Sequence, residues 1–551
     1  MRSLAAALAA SLSLAACASV GTAPRESGAY ADFLIGRIAN MRDDYPAAAD
    51  RYFAALTRSP HDDALINGAL IATLASGDVV RARRAANMAS AHDAPAYAYL
   101  VRASDALVAR RWRAAGSDAE SAQGSAAEEL IARMMMVWVR AAEGRVDEVT
   151  VDLAPLAAIR PYGGLFAYQQ AMALDYAGRT DEALAAYGTA EQGGLWLPAG
   201  VERHADLLVR QGRRDEAVRL LSAEVNRANP ALAAALARVQ AGGAAASEPL
   251  TPARGAAVGL YGISAIFLQE SDSANGLSAL TLALMLDPGF DGARLAFAQQ
   301  QSRLGHIDVA RRTLAEIGPQ SDYAASARMM EAWVLLDSGA QEEALALARA
   351  NATSGDPRAQ RTLADMYRNL GRYGDAEPIY SRLVEQNPGD WRLYFARGAA
   401  RERLGRWAEA EADLSRALEL SPDQPDVLNY LGYSWIDRGE HFDEGLAMIR
   451  RAVELRPGSA AIIDSLGWAY YRMGDYAQAL ENIEHAVELD PADATLNDHL
   501  GDIYWRLGRR IEARFQWQRA LGANPDNRAG IEAKLANGLA AEPERRAATN
   551  R

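Results

Sequence analysis

The chain carries few residues whose type and spacing could do chemistry, and those few are scattered. Its seven histidines, His61, His92, His204, His306, His441, His485 and His499, stand far apart and make neither an HExxH pair nor a cluster of metal-ligand spacing. No nucleophile elbow of the GxSxG kind and no glycine-rich phosphate loop with its lysine occurs. Lys534 is the one lysine, and carboxylate pairs such as Asp181 with Glu182 or Asp443 with Glu444 sit in turns. The pattern points away from an enzyme, and it implies no cofactor and no metal. Cys17 is the one cysteine, so its own position is the chemical signal.

The elements around these residues are periodic. Gly371, Gly405, Gly439, Gly474 and Gly508 stand 34, 34, 35 and 34 residues apart, and Pro388, Pro422, Pro457, Pro491 and Pro525 follow at 34, 35, 34 and 34. In the copy from Ala460 to Asp493, Ile463, Leu466, Gly467 and Tyr470 recur at helical spacing. Gly474 ends that first helix. Ala479, Ile483 and Ala486 then line a second, which Pro491 closes because proline cannot continue a helix. The third copy is one residue longer, in its turn between Gly439 and Gly445. Weaker copies keep the step upstream at Gly144, Gly178 and Gly212 and at Gly305 and Gly339.

These residues resemble the tetratricopeptide repeat family. The resemblance implies an all-α, right-handed solenoid of about 14 helix-turn-helix units that holds other polypeptides. A break rich in alanine, glycine and proline at 231–256 predicts two arms: an N-terminal degenerate array at 29–230 and a C-terminal array at 257–527, with a helix and tail at 528–551. The formal charge of -13, with no basic stripe, argues against nucleic acid as a partner. Beyond the first 17 residues no apolar run is long enough to span a bilayer.

Arg2, an apolar run from Leu4 to Leu14, and then Leu14-Ala15-Ala16-Cys17 make a secretory leader that resembles a bacterial lipobox. The resemblance implies a signal peptide at 1–16, fatty acylation of Cys17 and a tether at 17–28. Ala18, where an aspartate would retain the protein in the inner membrane, implies an outer-membrane lipoprotein facing the periplasm.

In the tetratricopeptide family the first helix of each pair lines the binding groove. Carried onto this sequence, the partner-binding positions are Asn429, Tyr433 and Asp437, then Asp464, Trp468, Tyr471 and Arg472, then Asp498, Asp502, Trp505 and Arg506. Tyrosine, tryptophan and arginine are the types enriched at binding hot spots. Phe33, Arg37 and Asn40 of the opening repeat are a second place to look. The stretch from Asp464 to Leu521 resembles the end of outer-membrane tetratricopeptide lipoproteins that act as adaptors for carboxyl-terminal processing proteases and their peptidoglycan-hydrolase clients. The alternative is a structural scaffold of a secretion or exopolysaccharide-export assembly.

Overall fold

The computed structural model describes residues 28–193 and 196–540, so the leader, Cys17 and nearly all of the tether lie outside the described residues. The described residues hold 31 helices and no strand. In helix order they read as fourteen antiparallel-type pairs with three helices over, the arrangement that the 34-residue step predicts.

The turn glycines explain how each pair closes. Gly474 sits at φ +79° after helix Ala460–Met473, donating its N–H to Tyr471 O at 3.0 Å while Asp475 N–H reaches Tyr470 O at 2.9 Å. This left-handed cap satisfies the last carbonyls of the first helix and turns the chain into the second. At the longer third copy the chain adds His441, itself left-handed at φ 43°, and the second helix begins at Phe442. The extra residue is thus absorbed in the turn. Gly467 allows the two helices to approach: a Cβ there would stand 2.5 Å from Ile483 Cγ1.

The chain divides into two compact units, residues 1–347 and 348–551. This differs from the expected joint at 231–256, which falls inside the first unit. Helix Pro230–Gln240 buries Leu232, Ala235 and Val239 there. The stretch after it is pinned: Arg214 donates to Gly242 O, Arg203 to Glu248 O, Arg238 to Ala245 O, and Ala246 N–H to Asp206. Ala245 is fully buried. Backbone groups held by four separate side chains do not make a joint.

Within the first unit, helices Pro252–Gln269 and Ser273–Leu286 do not continue a simple stack. Helix Pro252–Gln269 packs on helices Ala126–Ala142, Gly163–Tyr176 and Ala96–Val108, and Ser273–Leu286 packs on Asp63–Ala75, Ala96–Val108 and Ala126–Ala142. All four contacted elements are first helices of successive pairs, so this hairpin lies along their inner row. Its composition fits the position. From Pro252 to Leu286 the only charged residues are Arg254, Glu270 and Asp272, and a helix that is apolar all round must be buried on all sides.

In the second unit five pairs run from Pro357–Asn369 to Arg510–Gly522, followed by helix Arg528–Asn537. One core cluster joins its last pairs, from Ile436 through Ile483 and Trp517 to Ile531.

Candidate interaction surfaces

The inner row of the first unit is occupied by its own chain. Gly255, Gly259 and Gly262 fall on one face of their helix, and a Cβ at Gly255 or Gly262 would collide with the Trp138 ring or Leu165. At Gly259 it would stand 3.1 Å from Gln169 Oε1. The glycines therefore let this helix sit close against the row. Within the row Trp138 Nε1 donates to Gln169 Oε1 at 2.8 Å, and polar contacts tie the hairpin's second helix to it: Tyr97 Oη donates to Asn275 Oδ1 at 2.6 Å. Thr281 Oγ1 donates to Leu74 O at 2.7 Å. The surface that would ordinarily receive a partner here is filled.

The second unit brings the sequence-derived site residues onto consecutive first helices: Asn429 and Tyr433 on Pro425–Arg438, Asp464 to Arg472 on Ala460–Met473, and Asp498 to Arg506 on Ala494–Arg506. Neighbouring helices are tied by contacts that repeat a step of 35 residues. Arg472 pairs with Asp437, His499 Nδ1 meets Asp464 Oδ1 at 2.8 Å, and Arg506 Nε donates to Tyr471 Oη at 3.2 Å. Trp468 is stacked between Tyr471, at 4.6 Å, and His499, at 4.1 Å between ring centroids. Its Nε1 and Asn429 Oδ1 are enclosed.

Burial sorts these residues. Tyr433 and Trp468 keep partial exposure, and Arg472 and Asp437 are 32% and 51% exposed at their side chains. Burial, with the charges of Asp437 and Asp464 behind it, pushes the Tyr433 phenol up to about 12. Tyr433 therefore stays a neutral hydrogen-bonding ring. Asp464 and Tyr471 are buried as parts of the ladder itself.

Asp498, Asp502, Trp505 and Arg506 do not form the open groove expected of them. Helix Arg528–Asn537 covers the last pair: Lys534 Nζ meets Asp498 Oδ2 and Asp502 Oδ2, both at 2.8 Å, and Trp517 Nε1 donates to Asp502 Oδ1 at 2.9 Å. Trp505 is 9% exposed, packed beside Trp517 and under the Gly538 backbone, and Arg506 reaches Ala540 O at 2.8 Å. The physical reason is that the last pair has an apolar face no repeat follows, and the final helix supplies its cover. Lys534, in the helix that the sequence places at 528–551, is the cation that closes the array. Its distance from Asp498, 36 residues, is nearly one repeat.

His499 is held above its ordinary pKa: burial opposes the charged ring, but Asp464 in contact with it, with Asp502 and Asp498 nearby, outweighs burial. Among the described residues no group of His, Cys, Asp and Glu is arranged to hold a metal, and no helix is long and apolar enough to cross a membrane.

Residues 361–425 and 465–528 match the model of the tetratricopeptide repeat, both within the second unit. The described residues are thus all-helical throughout, with tetratricopeptide repeats in the second unit, an architecture that serves protein–protein interaction. No curated protein matches the chain. Among solved structures, the chain is similar to a tetratricopeptide repeat protein from Parabacteroides merdae, at 18% identity over 44% of this chain and 96% of that one, with a TM-score of 0.38. It is also similar to a thermophilic tetratricopeptide protein of Thermus thermophilus, at 20% identity over 33% of this chain and 98% of that one (TM-score 0.30). A third is YrrB, described as a tetratricopeptide protein with an unusual peptide-binding site, at 21% identity over 32% of this chain and 92% of that one (TM-score 0.27).

Proposed function

We propose that this protein is a non-catalytic adaptor, anchored through an acylated Cys17 to the outer membrane and facing the periplasm. Its second unit receives protein partners along the first-helix row around Tyr433, Trp468 and Arg472. The observation that carries the reading is the contrast between two rows: that of the first unit is filled by residues 252–286, while the second keeps a part-exposed tyrosine, tryptophan and arginine side by side. These are the residue types in which interface energy concentrates. The resemblance of residues 464–521 to lipoprotein adaptors favours a carboxyl-terminal processing protease, with peptidoglycan hydrolases as its clients. A scaffold of a secretion or exopolysaccharide-export assembly is the competing use of the same surface.

Co-purification from solubilised envelope separates the two. Recovery of a serine protease with cell-wall hydrolases supports the adaptor, and recovery of secretin or synthase subunits in their place overturns it. The anchor is tested by metabolic labelling with a fatty-acid analogue: label on the wild type and none on Cys17→Ala is the expected result. An unlabelled wild type in the soluble periplasm would sink it.

A further inference from the structure

The first described helix, Ala29–Met41, is apolar on two opposite sides. One side packs inward, with Asp32 and Gly36 buried and Phe33 edge-on to Tyr52 at 6.3 Å. The other presents Tyr30 (74% exposed), Leu34 (40%), Ile35 (42%), Ile38 (52%) and Met41 (80%). Tyr30, Leu34, Ile38 and Met41 follow the spacing of one helical stripe. A stripe of large apolar side chains exposed on the first described helix calls for a cover.

We infer that this stripe docks on the surface of the lipid bilayer to which the chain is anchored, laying the first helix in the membrane interface. The inference rests on the acylation of Cys17 proposed above, and three observations select a bilayer over other covers. The stretch from Cys17 to Ala29 is twelve residues, which can span at most about 40 Å, so the stripe is held within reach of the acyl chains and at high local concentration. Charge agrees as well: the helix's acid, Asp32, is turned inward and paired with Arg51 at 3.3 Å and Arg58 at 3.1 Å. Among the exposed residues of the helix Arg37 is the one charge, and it is a cation. Finally, Tyr30 and Arg37 join an apolar stem to a polar tip, the build that suits the headgroup boundary, where an amphipathic helix buries its apolar face about 5–10 Å deep. The opening repeat, where Phe33 and Arg37 were a second candidate for protein binding, thereby becomes a membrane contact that sets the orientation of the first unit.

The lone cysteine makes the test clean. With Cys17 acylated, Ile38→Cys introduces the one free thiol, which takes an environment-sensitive fluorophore in the purified full-length lipoprotein, reconstituted in vesicles containing anionic phospholipid. Val151→Cys, on a helix of the same unit and 72% exposed in the native chain, serves as the control. Nitroxide-labelled lipids should quench the probe at position 38 severalfold more than the probe at 151, and Leu34→Glu in the same chain should abolish the difference. Equal, weak quenching at both positions with Cys17 acylated would overturn the docking and leave the anchor standing. A wild-type chain whose Cys17 accepts the thiol label would overturn both. Shielding of position 38 without lipid would also overturn the docking: it assigns the stripe to a second copy if it grows with protein concentration, and to the tether of the same chain, residues 17–27, if it does not.

Discussion

Trp468 and Trp505 stand on equivalent faces of adjacent repeats, yet burial assigns them different work. Trp505 is enclosed by Trp517 and the chain at Gly538, so Trp505→Ala should cost about 3–5 kcal/mol of the second unit's stability, read in chemical melts. Trp468→Ala leaves that core intact, and its main effect should be on partner capture, with a smaller drop in stability from lost stacking on Tyr471 and His499. Equal destabilisation by both changes would refute the distinction. His499 adds a pH signature. Its folded pKa is raised by Asp464 in spite of burial, so its contribution to stability is fully present below the unfolded value near 6.5 and is lost as pH rises through the folded value. The second unit should lose stability from about pH 6.5 upward, and His499→Gln should flatten that slope. An unchanged slope would contradict the ion pair.

At the scale of the elements, the repeat period made the paired helices legible, since each turn glycine of the C-terminal copies adopts the left-handed conformation that the spacing calls for. The third copy's extra residue was also legible as a turn insertion. Two elements were not. From the sequence, 252–256 read as the end of the linker and 257–286 as the opening of the C-terminal array; the missed signal was an almost uncharged pair of helices over 252–286 with Gly255, Gly259 and Gly262 on one face. Residues 241–251 look like a joint by composition because glycine and proline mark breaks in the helix, but composition does not reveal which side chains hold a loop down. Gly255→Ala should therefore destabilise the first unit by about 1–3 kcal/mol through overpacking against Trp138. Amide exchange should rise together in 63–176 and 252–286, and a rise confined to the substituted helix would contradict the shared core. Limited proteolysis should spare 241–255 at early times; first cleavage there would restore it as a joint.

For the molecule as a whole, the repeat class was readable from spacing alone, whereas which row is free was not. A sequence period repeats the inner-row positions in every copy and says nothing of whether another part of the chain lies on them. The same gap explains Asp498, Asp502 and Trp505, which match groove positions by register but are covered by helix Arg528–Asn537 and Lys534. The division of labour proposed above has a closed row in the first unit and a receptive one in the second. Photocrosslinking in living cells tests it directly, with a photoreactive phenylalanine placed singly at Tyr433 and at Tyr97, a ring of the first unit's row whose hydroxyl meets Asn275. The expected result is an adduct with a separate envelope protein from position 433 and only internal crosslinks from position 97. Adducts with a separate protein from position 97, and none from position 433, would contradict the assignment of the second unit as the partner seat.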